Sequence, residues 1–159
     1  MNEFIPARAL AVAVREMRWI TREGAKVDRV ACPWLIRRFV DPDAEFVYVP
    51  KEMVFDEAKR LNATPFDVEG AELGHRGMDC SFETIVKKYG LKDPALLELA
   101  KIVHGADTRD PNPVAQAAGL KAIADGMALT TPDDQQKLDK AFPIYDALYA
   151  WCQKTVAAR

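Results

Sequence analysis

RWITREGAKVDRVACPWLIRRFVDPDAEFVYVP, residues 18–50, is where the apolar period changes from strand to helix and back, and the fold is read from it. Arg18–Thr21 has the bulk of a strand, and Glu23-Gly24 breaks it. Asp28 is placed to cap a following helix, with Pro33 in its first turns, where a missing N–H costs least. Val30, Trp34, Ile36 and Phe39 give that helix its apolar faces, and Asp41-Pro42-Asp43 ends it. Glu45–Val49 then reads as a short strand stopped by Pro50. Working outward, Lys51–Leu61 has helical periodicity through Met53, Val54, Ala58 and Leu61, and Pro65–Val68 makes a third strand. Strand, helix, strand, helix, strand predicts parallel pairing with right-handed crossovers. The predicted class is α/β: a small parallel three-stranded sheet (β-α-β-α-β) followed by a helical half, in a single domain.

The helical half opens after Gly70 with a polar, glycine-containing loop, residues 72–80. Ser81 is read as the cap of a helix carrying Phe82, Ile85, Val86 and Tyr89, which leaves Glu83 one residue short of capping-box spacing. Asp93-Pro94 starts a second helix that ends near His104-Gly105. A third covers Pro113–Met127, and Thr131-Pro132-Asp133-Asp134 starts a last one, running to about Ala150 with a kink expected at Pro143. Ala7–Met17 reads as a helical lead-in, so residues 1–17 are set apart from a domain at 18–159. No linker divides the two halves of that domain.

The 159 residues suffice for one domain with a proper core. A net charge of −2 gives no global basic field toward nucleic acid or an anionic membrane. No apolar run reaches the ~18–20 residues of a spanning helix. Three cysteines, widely spaced and without a CxxC, fit a reducing compartment, and a cytoplasmic location is the expectation.

Ligands of open parallel sheets collect beyond the carboxyl ends of the strands. The segments there are REGAKVDRVACPW after the first strand and EGAELGHRGMDCSFE after the third. Asp28, Arg29, Cys32, His75 and Cys80 thereby converge on one mouth. His75 and Cys80, with Asp28 or Cys32, offer a mixed nitrogen, sulfur and oxygen shell for a divalent transition metal, zinc or manganese. Asp107, in the HGADTRD loop, is a further candidate ligand. The structural alternative makes His75 a backbone-bonded loop residue and Cys80 a small apolar filler. Arg29, with helix N–H groups, suits an oxyanion, and Cys32 near a helix start is a candidate thiolate, against which stands simple burial beside Trp34. Aromatic IYDALYAW, residues 144–151, reads as core.

VDRVACPWLIRRFVDPDAEFVYVP, PFDVEGAELGHRGMDCSFETIVKKYGL, LAKIVHGADT and YDALYAW resemble, in that order, the C-terminal domain of the chromate-resistance ChrB family. The resemblance covers about Arg18 to Trp151, and its specific part is DR-ACPWLIRRF. It implies a metal- or oxyanion-binding domain with a sensing or regulatory accessory role, the ligand being a metal ion or the chromate anion. Longer members have an added N-terminal domain and look like chromate-responsive regulators. Residues 18–159 answer to the C-terminal part, so direct nucleic-acid binding and membrane association are not expected of them, while a homo-oligomer is. The layout is also similar to that of DHH-type phosphoesterases, whose manganese ligands would correspond to Asp28, Asp67, His75 and Asp107. The paired histidines of that signature are missing, since Arg76 follows His75. A metal-dependent hydrolase and a thiol-based chromate reductase are the enzymatic alternatives.

Overall fold

The computed structural model describes residues 18–159; the expected lead-in over residues 1–17 lies outside them. Three strands, β1 (Arg18–Arg22), β2 (Glu45–Val49) and β3 (Thr64–Pro65), form a parallel sheet in the order β2-β1-β3. β1 is central, with Arg18 opposite Glu45 and Trp19 opposite Thr64. α1 (Asp28–Phe39) crosses from β1 to β2, and α2 (Val54–Leu61), after a turn of 3-10 helix, crosses back to β3. The chain thus leaves β1 to one side and returns on the other, which puts the topological switch between β1 and β3.

Alternation along β1 sorts the two faces. Ile20 packs with Val54 and Ala58 of α2 and with Val68. Trp19 points the other way, into the main core with Trp34, Leu35 and Ile36 of α1. That core continues into the helical half: α3 (Ser81–Lys88), α4 (Pro94–Asp107), α5 (Gln116–Thr130) and α6 (Asp134–Ala157). Phe82 and Ile85 from α3, Leu96, Leu99 and Ile102 from α4, and Leu138 and Tyr145 from α6 fill it. Burying each such side chain contributes about 1.5–3 kcal/mol. Trp34 is fully enclosed, and its Nε1 donates to Asp146 Oδ1 at 2.8 Å, locking α1 to α6. Phe39 is only half buried, at the rim of the same aromatic group.

The predicted α/β architecture is the observed one, with differences at the element ends. β3 stops at Pro65 instead of running to Val68, because Asp67 turns the backbone into the left-handed region at φ 45°. Cys80, not Ser81, is the N-cap of α3, which puts Glu83 at capping-box spacing: its Oε1 accepts from Cys80 N at 3.1 Å. Asp28 is the first residue of α1 and its carboxylate caps no group of its own helix. α4 continues past Gly105 to Asp107. A Cβ at Gly105 would stand 2.7 Å from the Ala117 Cβ, so this glycine serves the approach of α5 and ends nothing. α6 runs through Pro143 to Ala157, the carbonyl freed by the proline lying on an exposed stretch at Asp139.

Candidate metal centre

β1 ends at Arg22, and the loop after it is pinned from the helical half. Asp134 accepts from Gly24 N at 3.0 Å and Ala25 N at 2.7 Å, while Lys137, itself buried, donates to Ala25 O at 3.0 Å. The loop closes on Val27 at φ 25°, a conformation β-branched residues rarely adopt, and delivers Asp28 inward. Strain also sits at Asp67, two residues past the end of β3 on the other side of the switch point. Both acidic residues are therefore aimed by unusual backbone.

Asp28 is fully buried. Its Oδ2 accepts from Ser81 N at 2.7 Å, so a residue after β1 caps a helix that begins more than fifty positions later. Ser81 Oγ donates to Asp67 Oδ1 at 2.6 Å, tying both carboxylates to the start of α3. The loop after β3 folds back through Asp67 N, which donates to Leu73 O at 2.9 Å, and places His75 over the pair. His75 Nε2 stands 3.0 Å from Asp107 Oδ2, 3.5 Å from Asp67 Oδ1 and 3.6 Å from Asp28 Oδ2. One ligand atom each of Asp28, Asp67 and His75 lies within 4.8 Å of the others. Exposure rises outward, from 0% for the Asp28 side chain and 17% for Asp107 to 51% for His75.

The electrostatics are those of crowded negative charge. Burial pushes the Asp28 carboxyl well above the usual carboxylate range, and the charges of Asp107 and Asp67 push the same way. Asp107 is raised by burial and by Asp67. His75 is raised, by hydrogen bonding toward Asp67 first and by the charges of Asp107 and Asp67 as well. Among the described residues Arg29 is the one guanidinium paired with the group, its Nη1 3.4 Å from Asp67 Oδ2, and its Nη2 is given to Gly24 O at 3.0 Å. Asp28 Oδ1 is buried and meets no donor among the described residues. Three carboxylate oxygens and one imidazole nitrogen make a hard to borderline donor set, which suits manganese best and zinc less well.

Of the residues singled out in the sequence, Asp28, His75 and Asp107 come together here, joined by Asp67. Cys80 does not join them. As the N-cap of α3 it turns into the core beside Glu83 and His104, while the next residue, Ser81, turns to the aspartates. Cys32 is fully buried, and burial followed by the Asp28 charge raises its thiol well above the ordinary value. Arg29 gives Nη1 to Asp67 and Nη2 to Gly24 O, while its Nε is buried without an acceptor among the described residues. Two features had not been singled out. A groove of about 390 Å³ opens beside His75 and Asp67, with Arg22 and Lys51 on its wall. Arg22 Nε is buried there without an acceptor among the described residues. In the sequence Arg22 only opened the segment after the first strand; the structure makes it the last residue of β1, the position from which side chains reach a switch-point crevice.

A family profile described as ChrB, C-terminal domain, matches residues 19–152. The chain is 38% identical over 133 residues to Protein ChrB of Cupriavidus metallidurans, a match taking in 83% of this chain and 40% of that protein. The chain therefore spans well under half the length of that relative. No solved structure matches it. No helix among the described residues is long and apolar enough to cross a membrane.

Proposed function

The chain belongs to the ChrB C-terminal domain family, and from that premise we propose that it is the metal-binding domain of a chromate-resistance protein, with a sensing or accessory role. Asp28, Asp67, His75 and Asp107 hold a divalent cation, manganese by the chemistry of the donors. The observation that carries the reading is the Asp28 carboxylate: fully buried, one oxygen bonded to Ser81 N and the other without a donor among the described residues. A buried charge of this kind is sustained by a partner or gives up its charge. Arg29 and His75 together offset two of the three carboxylates at most. A divalent cation supplies the remainder, meets the orphaned oxygen and relieves the crowding.

A second reading has its own observation. The groove beside His75 presents Arg22 and Lys51, and the unpaired Arg22 Nε is a donor in search of an oxygen. A tetrahedral dianion such as chromate matches that donor and reaches the metal side of the groove. The thiol-reductase reading has less support, because Cys32, Cys80 and Cys152 are all buried and buried thiols are poor nucleophiles.

Equilibrium dialysis against manganese tests the proposal, with Asp67→Asn beside the parent chain. The parent takes up one equivalent at this site, and the variant loses at least tenfold in affinity. Equal affinity in the two would refute the assignment. For the groove, Arg22→Gln weakens chromate binding while leaving manganese uptake intact.

A further inference from the structure

The capping box at the start of α3 contains two groups that capping does not call for. Ser, Thr, Asp and Asn are the strong N-caps, yet the cap here is Cys80, whose side chain accepts from the Glu83 backbone N–H. The Glu83 carboxylate, reaching back to Cys80 N, is also 2.5 Å from His104 Nδ1. His104 comes from the last full turn of α4. One ligand atom each of Cys80, Glu83 and His104 lies within 4.8 Å of the others. On the far side of the imidazole, Asp110 Oδ2 stands 3.7 Å from His104 Nε2. That is where a metal-ligating histidine keeps its orienting carboxylate.

We propose that Cys80, Glu83 and His104 form a second metal site, separate from the aspartate cluster and selective for zinc, with Asp110 as the positioning residue behind His104. Sulfur, imidazole and carboxylate are the mixed donors zinc prefers, whereas the first site offers oxygen with a single nitrogen. The ligand atoms of one tetrahedral zinc lie about 3.3–3.8 Å apart. Glu83 and His104 therefore part by about an ångström as the metal takes the place of the contact between them. The Cys80 thiol releases its proton to solvent on coordination. Glu83 and His104 are partly exposed, with side-chain accessibilities of 24% and 20%, which gives the metal a way in and leaves the fourth position to water.

Cobalt(II) distinguishes the two sites, because only a thiolate ligand produces a sulfur-to-cobalt charge-transfer band in the near ultraviolet. The full chain loaded with cobalt is expected to show that band. Cys80→Ser, which retains an N-cap, is expected to lose the band and to keep the equivalent bound by the aspartates. Asp67→Asn is expected to keep it. Asp110→Asn is expected to weaken the band's cobalt titration by about 10–100-fold. The inference is overturned if cobalt binds without the band, or if the band survives in Cys80→Ser and so belongs to another thiol. Should Cys80→Ser fail to fold, His104→Gln carries the test: an unchanged cobalt titration of the band overturns the site. A band with a single equivalent of cobalt would sink the aspartate site and leave this one standing.

Discussion

Replacing Asp28 by Asn leaves an amide oxygen to accept from Ser81 N, so the start of α3 stays held. What disappears is a carboxyl that burial, with the charges of Asp107 and Asp67 behind it, keeps protonated far longer in the folded chain than in the unfolded one. The folded state then binds more protons than the unfolded state above the ordinary carboxylate range near pH 4. The contribution of Asp28 to the stability of the metal-free protein therefore falls as pH rises from there through the raised folded value. One proton contributes a slope of at most about 1.4 kcal/mol per pH unit. For a chain of this size that is about 3–6 °C of melting temperature per unit. The assay is thermal melting in chelator across pH 4–8 for the parent and Asp28→Asn. The variant is expected to have the shallower curve and to melt higher at pH 8. In saturating manganese the order reverses: metal at a hundredfold over its dissociation constant stabilises the parent by about 2.7 kcal/mol, or about 5–11 °C, and the variant gains little. Parallel pH curves for the two proteins would refute the reasoning, since Asp28 would then carry no buried proton.

Other consequences follow from packing and from the loop contacts. Trp34→Ala removes an enclosed indole and its bond to Asp146; it should cost about 3–5 kcal/mol in denaturant unfolding, and a loss under 1 kcal/mol would move Trp34 out of the core. Asp134→Ala frees the two amides that pin the loop before Asp28; it is expected to destabilise by about 1–3 kcal/mol and to weaken manganese binding, and unchanged affinity would show that the loop needs no outside hold. All three cysteines are buried, so an alkylating reagent should leave them untouched in the native protein and modify them in denaturant; rapid native labelling of Cys32 would restore the reactive-thiol reading.

The β-α-β-α-β core was legible because apolar periodicity and breakers agree along residues 18–68. Asp28 and His75 were legible because the fold sends the segments after β1 and β3 to one crevice, whereas Asp107 was named from the HGADTRD segment and reaches the cluster from the end of α4. Asp67 was harder to find: in PFDV it reads as a strand interior, and only the left-handed turn at that residue aims it at the site. It entered through the phosphoesterase likeness alone. His75 and Cys80 fall in different groups for a local reason. Adjacent residues at a helix start point apart, so Ser81 meets the aspartates and Cys80 meets Glu83 and His104. Gly105 looked like a helix stop. Its lack of a side chain instead answers the approach of α5, and the extra turn is what carries Asp107 to His75.

The most direct test of the metal centre is the manganese content of untagged protein dialysed against manganese and then against buffer, measured by elemental analysis beside His75→Ala. His75 is half exposed, so its loss should leave the metal-free fold intact. The account predicts near-stoichiometric manganese in the parent and a marked loss in the variant, which still melts cooperatively without metal. Parent protein that retains no manganese, or a His75→Ala variant that retains as much, would contradict it.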